Sequence, residues 1–260
     1  MLRRIYLKRK YVIISIISVV SFLLIWQFIC DYAKLFPSFV LPSPTKVLTT
    51  FIKKFTNKSP DGATLLQNLL ASLEIALSGF ALGAIIGVPL GIAMAWYKKV
   101  DLIAKPLFDL LRPIPPIAWI PIMILWLGIG TAAKASIIFV SSFIPCVVNS
   151  YSGIKQTNNV HLWVGKTFGA TNFELLRKIA IPSALPYIFT GLRVSLGTSW
   201  VSLVAAEMLA STRGLGYMIQ IGRVVARTDV IIVGMLTIGG VGALLAFILQ
   251  QVENRYIKGK

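Results

Sequence analysis

Gln156–Pro182, QTNNVHLWVGKTFGATNFELLRKIAIP, is a polar and basic stretch set between two apolar segments that are each long enough to cross a membrane. Thr157 or Asn158 can cap a first helix whose apolar positions include Val160, Trp163, Val164 and Phe168. Gly169 then falls where a helix end takes a left-handed residue. Thr171-Asn172-Phe173-Glu174 has the spacing of a capping box, in which the hydroxyl and the carboxylate close the next helix start reciprocally. Phe173, Leu176, Ile179 and Ala180 share one face of that second helix. Pro182 is expected to end it, because the residue before a proline is pushed out of helical geometry. The predicted product is a short, rigid, partly apolar prong carrying Lys166, Arg177 and Lys178. A mere connector between two spans needs only a handful of residues. A capped hairpin with aromatic positions to spare suggests helix-in-groove docking of a partner.

The surroundings of the prong set the fold class. The chain is 56% hydrophobic and 13% charged, against about 25% charged residues in soluble domains. About 20 apolar residues cross the hydrocarbon core. Six stretches qualify: Tyr11–Cys30, Asn68–Trp96, Pro106–Leu127, Ala132–Tyr151, Ala184–Met208 and Val230–Gln250. The expected fold class is therefore an all-α integral membrane protein with about six transmembrane helices. Three parts are expected: an N-terminal anchor helix with an external linker at 1–66, a five-helix core at 67–251 that includes the loop 156–182, and a basic tail at 252–260.

The net charge of +17 does not point to nucleic acid, because the basic residues sit in loops and ends, where the positive-inside rule wants them. Arg3, Arg4, Lys8, Arg9 and Lys10 hold the N-terminus in the cytoplasm. Alternation of six spans then places Lys98, Lys99, Lys155, Lys166, Arg177 and Lys178 inside, together with Arg255, Lys258 and Lys260. Both termini are thus expected in the cytoplasm of a multi-pass cell-membrane protein. The first span reads as an uncleaved signal anchor, its apolar run being longer than a signal peptide's. The isolated Cys30 and Cys146 read as small buried apolar residues. His161 stands alone, so neither a metal site nor a cofactor is expected.

Within the spans, Gly79, Gly83, Gly87 and Gly91 recur at every fourth position and so lie on one helix face. Such a smooth ridge permits close helix packing in membranes, and Gly239, Gly240 and Gly242 are candidates for the same role. Arg112, Pro113, Pro115, Pro116 and Pro121 interrupt the third span. A backbone broken by prolines persists at membrane depth only where protein or a water-filled cavity satisfies it, so this stretch is expected either to line a pathway or to form a simple kink. Glu74, Asp109, Arg112, Arg193 and Glu207 are costly in lipid. The expectation is that the arginines snorkel and that Glu74 and Glu207 lie near the external interface. Arg112, Pro113, Pro115, Arg193 and Glu207 are the candidate pathway residues. Lys46–Phe55, with Lys53, Lys54 and Lys58 nearby, reads either as an interfacial amphipathic helix or as a solvated connector. Arg213, Arg223 and Arg227 sit outside against the charge bias, which tolerates exceptions; they read either as neutral exceptions or, on a short helix at Tyr217–Val225, as residues that attract a small anion or dock an external protein.

The spacing of Gly169, nine residues, then Ile179-x-Ile181-Pro182 resembles the cytoplasmic EAA loop of permease subunits of binding-protein-dependent ATP-binding-cassette (ABC) importers. Leu41-Pro42-Ser43-Pro44, Leu111-Arg112-Pro113-Ile114-Pro115, Ala206-Glu207 and Gly214-Leu215-Gly216-Tyr217 are similar to the branch handling sulfonates, taurine and nitrate. The resemblance implies a type I importer permease fold and two copies of the chain. It also implies separate cytoplasmic ATPases, an external binding protein, and transport of a small solute such as an organic sulfonate, taurine or nitrate. It further implies that the loop is a coupling helix fitting a cleft on the ATPase, with Trp163, Val164, Gly165, Phe168, Gly169, Ala170, Ile179 and Pro182 as its contact and framework residues. Trp163, Val164 and Gly165 occupy the Glu-Ala-Ala positions, so the acidic residue is missing, and Glu74 stands where a basic residue is expected. The sequence has no Gly-x-x-x-x-Gly-Lys-Ser/Thr phosphate loop, which fits energy supplied by another subunit and a chain that is not itself an enzyme. The rival reading is a secondary transporter or channel working without ATP.

Overall fold

The computed structural model describes the backbone of residues 2–257 and the side chains of residues 11 and 13–256. The basic residues Arg3, Arg4, Lys8, Arg9, Lys10, Lys258 and Lys260 lie outside the described side chains. Among the described residues every regular element is helical. In chain order these are α1 (Leu2–Gln27), α2 (Pro44–Lys54), α3 (Leu65–Trp96), α4 (Lys98–Leu111), α5 (Ile120–Leu127) and α6 (Thr131–Lys155). They continue with α7 (Asn159–Thr167), α8 (Asn172–Leu175), α9 (Ile181–Ala210), α10 (Leu215–Val224) and α11 (Thr228–Ile257). Among the described residues five helical segments are long and apolar enough to span a membrane, and a sixth span results if α4 is taken together with Pro116–Leu127.

That sixth span is broken where the prolines interrupt it: α4 and the segment Pro116–Leu127 are bent by 85°, a sharper turn than a simple kink. The cause is local. Pro113, Pro115 and Pro116 remove three backbone donors within four residues, and each restricts the residue before it. The chain leaves α4 at Arg112 and restarts as a short 3-10 turn at Pro116–Trp119.

The chain divides into two compact units. In the first, Met1–Leu66 with Met218–Thr237, the described side chains of α1 expose an almost uninterrupted apolar surface, as a lipid-facing anchor would. The Lys46–Phe55 segment is indeed a helix, α2, but Lys54 is not at a water interface. Its ammonium is buried, donating to Asp61 Oδ1 at 2.5 Å, to Ala63 O at 2.7 Å and to Ser59 O at 3.1 Å. Three acceptors use all three of its donors, so Lys54 closes the turn after α2 rather than touching headgroups. Arg227 is similarly committed. Its guanidinium grips Asp229 in a two-pronged pair, at 3.1 and 2.6 Å, and Thr50 Oγ1 donates to the same carboxylate at 2.8 Å. Arg227 is therefore a structural residue and not a free attractor of anions, whereas Arg223 on α10 is exposed.

In the second unit, Gln67–Tyr217 with Ile238–Lys260, α6 is the centre. All four glycines of α3 face it. A Cβ on Gly79 would lie 2.7 Å from Ile138 Cβ, one on Gly87 2.9 Å from Phe143 O, and one on Gly91 2.5 Å from Val147 O, while one on Gly83 would collide with the Ser142 hydroxyl. On the α9 side of α6, Gly153 and Gly191 admit Tyr187 and Asn149 equally closely. Gly242 of α11 makes room for the Trp200 indole, whose N–H donates to Ile238 O at 3.0 Å. At Gly239 and Gly240, expected to act likewise, an added Cβ would meet no other helix within 4 Å. Packing of this kind replaces hydrophobic driving force where lipid is the solvent. Gly83→Leu is expected to prise α3 from α6 at a cost of about 3 kcal/mol or more, read as loss of a monodisperse peak after detergent extraction. Gly240→Ala serves as the tolerated control.

Candidate functional site

The prong folds from its caps inward. Asn158 Oδ1 accepts the Val160 N–H at 2.9 Å and starts α7; Thr157 is buried and does not cap. Gly169 takes φ 78° at the other end. Its N–H donates to Lys166 O at 2.9 Å and that of Ala170 to Gly165 O at 3.0 Å, the paired bonds of a Schellman ending. The capping box is closed in both directions, with Thr171 N–H donating to Glu174 Oε2 at 3.0 Å and Glu174 N–H to Thr171 Oγ1 at 3.3 Å. Lys178 adds an ion pair to Glu174 at 2.9 Å.

Two residues of the prong act differently from the expectation. Pro182 does not end a helix. A π turn at Leu176–Ala180 precedes it, with Ile181 N–H bonding back to Leu176 O, and the chain runs on helically through α9. The wider turn gives the pyrrolidine ring room where a regular turn would clash with the preceding carbonyl. The prong is thus α7, a tight corner, and the start of one long helix. Gly165 points inward, since a Cβ there would lie 2.5 Å from Leu175 Cδ2 and 2.9 Å from Ile179 Cδ1. Gly165, Ala170 and Ile179 form the joint. Trp163 and Phe168 are what the prong presents, 64% and 86% exposed, flanked by exposed Val160, Val164 and Phe173. Burying large aromatics is worth several kcal/mol in aggregate.

The candidate pathway residues separate. Arg112 lies at the α4 break and borders two cavities, one of about 370 Å³ that Pro115 also lines and one of about 220 Å³ beside Asp109 and Tyr151. Pro113 lines neither. Arg193 forms an ion pair with Glu253 and so ties α9 to α11. Glu74 is exposed on α3. Glu207 is fully buried within the chain and meets no solvent. Its carboxylate accepts from Ser72 Oγ at 2.8 and 3.0 Å and from the Gly216 N–H at 2.8 Å. Around it, Leu215 N–H donates to Ser72 Oγ at 2.9 Å, Gly214 N–H to Asn68 Oδ1 at 3.0 Å, and Lys134 Nζ to Ser211 Oγ at 2.9 Å. The loop Ser211–Gly216 is pinned from α3, α6 and α9. Sequence reading gives no role to Asn68, Ser72, Ser141 and Ser202, and takes Lys134 only as part of a motif of resemblance. Their signal was present, as polar side chains inside apolar spans.

Residues 87–258 match the family described as binding-protein-dependent transport system inner membrane component. A putative ABC transporter permease protein of Methanocaldococcus jannaschii, MJ0413, is 37% identical over 89% of this chain and 86% of its own length. The taurine transport system permease protein TauC of Escherichia coli is 36% identical over 95% of this chain and 89% of its own. The bicarbonate transport system permease protein CmpB of Synechocystis is 34% identical over 92% and 86%. An inward-facing structure of the MetNI methionine ABC transporter superposes with a TM-score of 0.62 at 19% identity, covering 75% of this chain and 95% of that one. That likeness shows the fold, a type I importer permease. The family match and these relatives agree: the chain belongs to the binding-protein-dependent transport system inner membrane components, the multi-pass permease subunits of ABC transporters.

Proposed function

We propose that two copies of this chain form the translocation pathway of an ATP-driven importer for a small anion, most simply an organic sulfonate such as taurine or a comparable oxyanion. Permeases of similar sequence are named for taurine and for bicarbonate, which share a small size and an anionic head. Residues 67–251 are the pathway-forming core, with 1–66 an anchor and linker and 252–260 a basic tail. Both termini and the prong lie in the cytoplasm, as the distribution of lysine and arginine favours. Trp163, Val164 and Phe168 enter a cleft on a separate ATPase subunit, which supplies the energy, while Gly165, Gly169, Ala170 and Ile179 hold the corner. An external binding protein delivers the solute.

The observation that carries this reading is the prong itself, because its second arm is continuous with α9. A partner that moves the prong moves the far end of a spanning helix. ATP-driven closure of the two ATPases favours the outward-open state and hydrolysis resets it, a population shift by a ligand that prefers one conformation. A secondary transporter has no use for such a prong. The test is affinity purification of the tagged full chain from its native membrane. Recovery of an ATPase subunit, with uptake in proteoliposomes that stops when ATP is withheld, is the expected result. Uptake that persists without ATP would overturn the assignment.

A further inference from the structure

We propose that the cavity of about 370 Å³ beside the α4–α5 break is a binding site on the pathway that holds one small oxyanion with a short apolar tail, an inference that rests on the importer reading above. Arg112 supplies the charge. It borders the cavity and, among the described residues, makes no ion pair. A guanidinium keeps its charge at any physiological pH and offers five donors in a planar fork that suits sulfonate, carboxylate or carbonate oxygens. Arg112 is exposed and spent on no ion pair among the described residues, so its guanidinium is available to an anion that enters the cavity.

The hydroxyls add a second anchor. Ser141 Oγ and Ser202 Oγ lie 2.9 Å apart on the cavity wall. Two hydroxyls bring two hydrogens, of which one closes the pair, so the other is left to donate to a ligand. Thr198 cannot serve in the same way, because its hydroxyl hydrogen has backbone acceptors at Ser141 O, 3.0 Å, and at Val194 O and Ser195 O, both 3.1 Å. Thr198 therefore presents its apolar side, as Pro115 and Val201 do. One charge, one hydroxyl donor and an otherwise apolar wall select a small amphiphilic anion over a sugar, which needs many polar partners. The volume lies at the small end of ligand pockets, which run about 300–1,000 Å³. Gly197 gives the cavity its room: it lines the wall, and a Cβ built there meets nothing within 4 Å.

The test uses the full chain assembled with its ATPase, in a Cys30→Ser, Cys146→Ser background carrying Gly197→Cys. The probes are anionic methanethiosulfonate ethylsulfonate and cationic methanethiosulfonate ethyltrimethylammonium, each rate being taken relative to that with a free small thiol. The anionic reagent is expected to be favoured about tenfold by the local positive field. The preference should vanish with Arg112→Gln and persist with Arg112→Lys. A preference indifferent to Arg112→Gln, or a thiol that neither reagent reaches, overturns the site. In parallel, Gly197→Met should fill the cavity, abolishing uptake while the ATPase still copurifies. Normal uptake by Gly197→Met, or loss of assembly, assigns that face to something other than the solute. Copurification of the ATPase with the unsubstituted chain reports on the importer reading separately, so the two failures are distinguishable.

Discussion

Phe168→Glu should abolish uptake while leaving the protein inserted and the rest of the fold intact. Phe168 is 86% exposed and touches little within the chain, so its replacement costs the monomer almost nothing. In a docked prong the carboxylate would enter an apolar cleft without a partner. Truncating a central aromatic anchor costs about 2–4 kcal/mol, and a buried unpaired charge adds to that, so ATPase affinity should fall more than a hundredfold. Gly169→Pro reaches the same end through the backbone. Proline cannot take φ 78°, nor can it supply the N–H that bonds to Lys166 O. The Schellman corner is lost and the two arms no longer hold Trp163 and Phe168 together. The measurement is the amount of ATPase recovered with each variant, set beside uptake and the amount of chain in the membrane. Normal ATPase recovery with either variant would show that the prong is not the docking element.

The prong was legible in the sequence because caps are local. Asn158, Gly169, Thr171 and Glu174 fix their neighbours within three or four residues, and the structure has each of those bonds. The glycine ridge of α3 was legible in the same way, since a period of four defines a face without reference to a partner. That the partner is α6 was not, because nothing in α3 distinguishes one smooth neighbour from another. The errors share a cause. Pro182 reads as a stop because a proline is locally a breaker, yet a π turn just before it absorbs it. Isolated charges usually seek water, which is why Lys54 and Glu207 read as interfacial and Arg227 as an attractor of anions. Each instead has a partner inside the chain, close in sequence for Lys54 and Arg227 and distant only for Glu207. Lys54 meets the turn carbonyls after α2, Arg227 meets Asp229, and Glu207 meets a serine 135 residues away.

Glu207→Ala should release the loop at Ser211–Gly216 and uncouple ATP hydrolysis from uptake, whereas Glu207→Gln should be tolerated. Glu207 is buried, and its carboxylate receives the Gly216 N–H and the Ser72 hydroxyl. Alanine leaves both donors without an acceptor, at about 1–3 kcal/mol each, and opens a void between α3 and α9. Glutamine keeps one carbonyl oxygen for Gly216 and fills the same space. The geometry around the loop has no slack: a Cβ on Gly216 would lie 2.8 Å from Glu207 Cβ, and Gly214, at φ 130°, would drive one into the carboxylate. Gly214→Ala should therefore reproduce the defect from the opposite partner. The consequence for transport follows from continuity. The helix that begins in the prong at Asn172 runs through the π turn and α9, and Glu207 lies three residues before its last residue, Ala210. One rod carries the prong at one end and grips the loop leading into α10 at the other. When the grip is lost, the ATPase can still dock and hydrolyse ATP, but the far end no longer follows. The expected record is a thermal midpoint lower by several degrees, ATPase recovery unchanged, and uptake per ATP hydrolysed reduced at least tenfold, about 1.4 kcal/mol of coupling. Uptake per ATP equal to that of the unsubstituted protein in Glu207→Ala would reduce the carboxylate to a packing residue.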